Sequence, residues 1–297
     1  MIKYRFDGTL LYFAFASAVL VFPVSVLAQT NEDQYRASLF SLISLLQEQI
    51  AELQLQLASQ ADKATASGIL YEIEAEVVAS YSVYQGEIST RAPQLYQAYF
   101  DRLLTVLPDQ YDDHIDELVV FTSGNQGVGA YVETQVPYTK DWRYAVSESE
   151  IKEDPESAAS TELMVHEFAH IFSLDQAFRE RATARDCHPY FTDTLCYGSD
   201  SYLGQFIDTF CSNQMLDDLQ SAQSESRFDQ ADFYDRYESQ FVSEYAATDP
   251  AEDFAESFTQ YVYGEMAPRG SIADQKIEFF DQFRYVQELS DAIQQEL

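Results

Sequence analysis

The stretch Ser160-Thr161-Glu162-Leu163-Met164-Val165-His166-Glu167-Phe168-Ala169-His170-Ile171-Phe172 constrains this chain more than any other. It contains the pattern H-E-x-x-H, which has mechanical content only on an α-helix. There, residues four apart lie one above the other, so the imidazoles of His166 and His170 can reach one point. Glu167, one position round, is held beside that point. Two imidazoles with a neighbouring carboxylate form part of the donor set of a catalytic zinc ion whose bound water needs a base. Leu163, Met164, Phe168, Ile171 and Phe172 give the helix an apolar surface, and Thr161 or Ser160 offers an N-cap. The segment reads as a partly buried helix carrying two of the four histidines.

Charge narrows the partners. The chain has 17 Lys+Arg against 50 Asp+Glu, a net charge of −33 over 297 residues. A nucleic-acid binder needs cations to displace phosphate counterions, so nucleic acid is excluded as a partner and anionic membrane surfaces are disfavoured. With 46% hydrophobic residues, a sizeable core can form. The length accommodates one catalytic domain plus an extension.

The extension is N-terminal. Lys3 and Arg5 precede an uncharged run from Thr9 to Gln29, followed within it by Pro23 and the small-residue site Val26-Leu27-Ala28. This pattern predicts an export signal over 1–28, cleaved after Ala28, and hence a secreted or extracytoplasmic protein. The alternative is an uncleaved membrane anchor, because Leu10 to Ala28 is long enough to span a bilayer. From 29 to 66, Leu39, Ile43, Leu46, Ile50, Leu53 and Leu57 step by 4, 3, 4, 3, 4, the seam of a short coiled coil. Self-association through that seam and packing back on the rest of the chain are its two readings. Ala66-Ser67-Gly68 marks a break.

Beyond the break, residues 67–297 read as one α+β domain, mainly helical. Leu70, Ile73, Val77, Tyr81 and Tyr84, then Leu95, Tyr99, Leu103 and Leu104, predict two helices split near Arg91-Ala92-Pro93. The runs 118–122, 128–136 and 142–146 predict three strands of a small mixed sheet directly before the H-E-x-x-H helix. An edge strand of such a sheet can hold an extended peptide by main-chain hydrogen bonds. Residues 174–240, rich in Asp, Ser, Gln and Tyr, read as an insertion and hold Cys187, Cys196 and Cys211. In an exported chain these imply one disulfide and one leftover thiol. The pairing is open, with Cys187 to Cys196 closing the smallest loop. A structural zinc site at Cys187-His188 with Cys196 and Cys211 lacks C-x-x-C spacing. The tail from Ile272 to Leu297 reads as a closing helix that buries Ile277, Phe280, Phe283, Val286 and Leu289.

A catalytic zinc needs a third protein ligand and an open position. The best candidate lies in Ser243-Glu244-Tyr245-Ala246-Ala247-Thr248-Asp249-Pro250-Ala251-Glu252-Asp253-Phe254-Ala255-Glu256. Thr248 and Asp249 can cap a helix with Pro250 in its first turn, placing Glu252 and Glu256 on one face. One can bind metal while the other fixes a ligand imidazole. The competing reading of Glu252, three residues after Asp249, is a capping box in which its carboxylate bonds only backbone amide.

With Tyr245 and Glu252 spaced seven apart after His166-Glu167-Phe168-Ala169-His170, the chain resembles the zinc peptidases related to anthrax lethal factor and the Pro-Pro endopeptidases, in the thermolysin-like group. The resemblance covers roughly residues 95 to 265, and its specific part is the two motifs. It implies a zincin-like fold with a single zinc ion held by His166, His170 and Glu252. It further implies Glu167 as general base, Tyr245 as oxyanion donor, and Glu256 behind the ligands. The implied activity is metal-assisted hydrolysis of peptide bonds in a peptide or protein substrate. Two alternatives are an exported structural or adhesion module with a non-catalytic zinc site and a zinc hydrolase of non-peptide amides.

Overall fold

The computed structural model describes residues 75–88, 91–122, 127–134, 141–174, 180–181, 190–192, 195–225, 227–264 and 267–297. The expected signal at 1–28, the coiled-coil segment at 29–66, Cys187 and His188 lie outside the described residues. The chain divides at Ser67 and Gly68 into two units, and every described residue belongs to the second. Among the described residues no helix is long and apolar enough to cross a membrane.

The fold is α+β, built on a mixed five-stranded sheet. Strand β1 is Val77–Tyr84, β2 Glu87–Ile88, β3 Ile115–Phe121, β4 Ala130–Thr134 and β5 Trp142–Ser147. Their spatial order is β2-β1-β3-β5-β4, with β3 and β5 parallel and every other pair antiparallel. Helix α1, Gln94–Val106, and helix α2, Ala158–Leu174, cover one face. Leu118, Val120, Tyr144 and Val146 bury against Tyr99, Phe100, Leu103 and Phe168 there. On the other face Arg143 of β5 bonds Glu117 of β3 and Glu133 of β4, which ties the outermost strand to its neighbours.

The first of the two expected helices between 69 and 107 is wrong for its described part, because Val77–Tyr84 is a strand. Ala79, Tyr81 and Val83 turn inward while Val78, Ser80, Ser82 and Tyr84 turn out, a period of two. Val77, Tyr81 and Tyr84 satisfy helical spacing as well. What decides is pairing with β3, which satisfies the backbone of a segment rich in β-branched and aromatic residues.

Helix α2 begins earlier than expected. Ser157, not Ser160 or Thr161, caps it, accepting from the Ser160 amide at 3.2 Å. Thr161 lies inside the helix and its hydroxyl meets the Tyr263 hydroxyl at 2.9 Å. Tyr263 belongs to helix α6, whose antiparallel packing on α2 is the centre of this second unit. The elements before it are α3 (Tyr202–Phe210), α4 (Asn213–Glu225) and α5 (Arg227–Tyr237); α6 itself is Pro250–Tyr263. Phe168 and Phe172 interleave with Phe258 and Phe254 at ring separations of 5.7 to 6.2 Å. Asp249 caps α6 by accepting from the Ala251 amide, Pro250 opens it, and Gly264 at φ 66° closes it in the left-handed conformation that glycine adopts without strain.

The stretch 174–240 is less separate than its composition suggests. It contains a three-stranded antiparallel sheet, β6 (Glu180–Arg181), β7 (Tyr190–Thr192) and β8 (Leu195–Tyr197). Yet Leu203, Phe206 and Ile207 of α3 lie in the main core. Helices α4 and α5 pack on each other around a second cluster that includes Met215, Leu219, Phe233 and Phe241. Cys196 is disulfide-bonded and Cys211 is free. The tail forms two helices, α7 (Ile272–Glu278) and α8 (Arg284–Glu296), joined by a 3-10 turn. Ile277, Phe280, Val286 and Leu289 are buried, and Phe283 is half-buried.

Candidate metal centre

Helix α2 sets His166 and His170 one turn apart with their Nε2 atoms 3.1 Å from each other. Helix α6, pressed against it by the phenylalanine seam, delivers Glu252. Its Oε2 lies 3.1 Å from the Nε2 of His166 and 3.1 Å from that of His170. Among the described residues this is the one group of three His, Cys, Asp or Glu donors close enough to hold an ion. Asp249 caps the helix, and the Glu252 carboxylate does more than bond backbone amide, because its Oε2 points at both imidazoles.

The three atoms form a nearly equilateral triangle. Ligand atoms around a tetrahedral zinc ion with bonds of ~2.0–2.1 Å stand about 3.3 Å apart, so the donor types and spacing fit that ion. Three lone-pair atoms directed at one point repel unless a cation or proton lies among them. The surroundings show the same demand for positive charge. Burial works against a protonated His166, but Glu252 and Glu256 outweigh it and push the imidazole up to about 10. Burial works against an ionised Glu252, but His170 and His166 hold its carboxyl well below the usual range.

Behind His166 stands Glu256. Its Oε1 is 2.8 Å from His166 Nδ1, and its Oε2 accepts from the Ser243 hydroxyl at 2.6 Å. A carboxylate at Nδ1 keeps the proton there and leaves Nε2 free to ligate. The Ser243 oxygen also accepts from the Ala246 amide at 3.0 Å. One hydroxyl therefore ties the group that orients His166 to the turn that carries Tyr245. Sequence reasoning missed Ser243. Its signal was local, a serine opening a 3-10 turn two residues before the tyrosine.

Glu167 is buried beside the histidines, and its Oε2 makes no hydrogen bond. Burial raises its pKa, and the opposing pull of His166 and His170 is weaker. Tyr245 stacks obliquely near His166 with ring centres 5.7 Å apart. Although the residue is 54% exposed, desolvation of the phenol at the site, then the Glu252 and Glu167 carboxylates, raise its pKa, so it stays protonated and able to donate. Its turn, Tyr245–Ala247, is buttressed by the α4–α5 pair, because Ala246 and Ala247 complete the second cluster and Gln223 of α4 donates to the Thr248 carbonyl at 2.8 Å. The acidic stretch before it thus has a structural task at the site.

A cavity of about 460 Å³ opens beside the centre, reached by His166, Glu167, Tyr245 and Glu256. Its far wall is the start of β4, which among the described residues pairs only with β5 and so presents an open edge there. The Ser147 amide donates to the Gly129 carbonyl at 2.7 Å, so the bonded pairs with β5 fall at Gly129, Tyr131 and Glu133. Ala130 and Val132 therefore direct their backbone N–H and C=O groups to the free edge. Gly129 is confined: a Cβ there would meet Glu150 and Leu163 side-chain carbons at 3.2 Å.

The six residues singled out in the two motifs, His166, Glu167, His170, Tyr245, Glu252 and Glu256, thus lie together. Cys196 and Cys211 do not join them in the group of metal-spaced donors. Comparison of this chain with protein-family models, with curated proteins and with solved structures finds no match.

Proposed function

We propose that this protein is an exported zinc-dependent endopeptidase. The observation that carries the reading is the convergence of His166, His170 and Glu252 beside a buried carboxylate, Glu167 Oε2, that makes no other bond. A site built only to hold metal has no use for that carboxylate, because the three ligands suffice. Bound zinc supplies Lewis acidity, polarising a carbonyl and bringing the pKa of a coordinated water toward ~7.

The remaining work falls to this chain's own groups. Glu167 Oε2 takes the proton of the attacking water and delivers it to the leaving amine, and its burial-raised pKa suits both transfers. The Tyr245 hydroxyl donates to the oxyanion that develops on the attacked carbonyl. Glu256 and Ser243 keep His166 in one tautomer and one orientation. The N–H and C=O groups of Ala130 and Val132 receive an extended peptide as an added strand, which aligns its carbonyls along the cavity.

The test is cleavage of a random peptide library by the zinc-loaded chain beginning at Gln29, compared with its Glu167→Gln variant. Cleavage that a chelator stops and that Glu167→Gln abolishes while retaining zinc supports the reading. A loaded chain that cleaves nothing, or a Glu167→Gln variant with unreduced activity, overturns it.

A further inference from the structure

Lys276 is the one buried lysine among the described residues. It stands on α7, which packs on α3, on α6 and on the 3-10 turn Glu238–Gln240. Its ammonium donates to Asp253 Oδ2 at 2.6 Å, and both residues are buried. Asp253 follows Glu252 on α6. The same ammonium lies 4.2 Å from the ring centre of Phe241 and 5.9 Å from that of Phe206. Those two rings belong to different clusters. Phe206 sits in the main core with the apolar residues of α2 and α6, and Phe241 in the second cluster with Ala246 and Ala247, next to Tyr245. Phe241, Ala246 and Asp253 line one cavity of only about 10 Å³, so little free space separates the two parts.

Resting on the endopeptidase reading for its catalytic part, we infer that Lys276 is a positioning residue for the centre, fixing the ligand helix α6, through Asp253, against the Tyr245 turn, through Phe241. Stability alone gives a buried ion pair little purpose, because desolvating two charges offsets most of their attraction and apolar side chains of similar volume serve as well. Geometry is where the pair differs. A methylene packs at many rotations of a helix, whereas an ammonium bonded to one carboxylate oxygen admits a narrow range of distance and direction. Glu252 needs that precision, since its Oε2 stands 3.1 Å from two imidazoles at once. Asp253 is turned ~100° from Glu252 around the helix axis, so it can hold α6 from a side the metal ligands do not use. On the other part, Phe241 lies four residues before Tyr245, and its ring face attracts the same ammonium. The Ser243 hydroxyl already joins the two parts through Glu256, and Lys276 adds a second tie from the tail of the chain. It acts only through these neighbours and takes no part in the chemical step.

The experiment separates positioning from stability with three variants of the zinc-loaded chain: Lys276→Met, the uncharged pair Lys276→Met/Asp253→Asn, and Phe241→Leu. Each is followed by thermal melting, by zinc Kd from chelator competition, and by kcat and KM on a peptide that the parent chain cleaves, all below the melting transition. Lys276→Met should lower kcat by about ten-fold or more with little change in KM, because small displacements of reacting groups are costly. Its zinc Kd should rise by about three- to ten-fold, less than for a group bonded to a ligand directly. The double variant removes the unpaired buried charge, so its melting temperature should recover while kcat and zinc Kd stay impaired. Phe241→Leu leaves the ion pair intact and should lower kcat with zinc Kd unchanged. A double variant that regains parental kcat and zinc Kd, or a Lys276→Met chain that loses stability alone, makes the lysine merely structural and overturns the inference. Phe241→Leu leaves no charge unpaired and decides if neither charge variant folds: an unchanged kcat overturns the inference. If the parent cleaves no peptide, the endopeptidase reading falls separately, and zinc Kd decides: a raised value in the Lys276 variants supports the hold on Glu252, and an unchanged one overturns it.

Discussion

Glu252 and Glu256 sit one turn apart on α6, and the structure gives them different partners, so their removal should have different consequences. Glu252 Oε2 is 3.1 Å from both Nε2 atoms, whereas Glu256 reaches only Nδ1 of His166, at 2.8 Å. Glu256→Ala therefore keeps three ligands but frees one imidazole to turn. A hydrogen bond to a charged group contributes ~1.5–3 kcal/mol, and groups that orient a ligand histidine typically change metal affinity by ~10–100-fold. Zinc Kd should rise by that factor while one ion per chain still binds at saturation. Ser243→Ala breaks one of the two bonds that hold Glu256, so a smaller loss of ~3–10-fold is expected. Glu252→Ala removes a donor outright, leaving two histidines that should not retain zinc through dialysis. The assay is competition against a chromophoric chelator, with metal analysis of the dialysed protein. If Glu252→Ala kept stoichiometric zinc and Glu256→Ala lost it, the assignment of ligand and orienting group would be reversed.

Tyr245→Phe should lower kcat by ~100-fold or more while zinc affinity stays within a factor of two, since the phenol acts on the developing oxyanion and not on the ion. A variant with unchanged kcat would remove Tyr245 from the mechanism. Lys276→Met tests the anchorage of α6. Lys276 Nζ is fully buried, 2.6 Å from Asp253 and 4.2 Å from the Phe241 ring centre, and its loss leaves Asp253 buried without a counter-charge at a cost of ~3–5 kcal/mol near neutral pH. Burial already pushes the Asp253 carboxyl up to about 6 against the pull of Lys276, and removing Lys276 raises it further. A carboxyl raised above its unfolded value favours the folded state in acid and loses that contribution as pH rises through the folded value. The thermal-melting deficit of Lys276→Met should therefore be larger at pH 8 than at pH 5, and equal deficits would refute the pairing argument.

Much of the site was legible because its signals are local. The H-E-x-x-H spacing needs only helical geometry to bring His166 and His170 to one point. The cap at Asp249 with Pro250 behind it announces α6, and the β-branched run of β3 and the aromatic and valine residues of β5 announce strands. Other elements were not legible, for identifiable reasons. Val77, Tyr81 and Tyr84 match both a helical and an alternating pattern, and the hydrogen-bonded partner that decides between them, β3, lies some forty residues on. Ser157, Ser160 and Thr161 are equivalent as caps until the start of α2 is known. Leu203, Phe206 and Ile207 belong to the main core although the stretch around them is rich in polar residues, because a short helix contributes one apolar face and composition averages over all of them.

By itself the sequence determined which residue types could meet a metal and at what helical spacing: two imidazoles, a neighbouring carboxylate, and a second helix carrying glutamates four apart. Helical spacing could not choose between those glutamates, since positions i and i+4 share a face and differ only in height along the axis, and only the family resemblance pointed to Glu252. That choice was made by the tertiary structure. Phe168 and Phe172 interleave with Phe258 and Phe254 at one register, and this sets Glu252 level with both Nε2 atoms and Glu256 level with Nδ1 of His166. Side-chain packing between distant segments determines that register, and no local pattern encodes it.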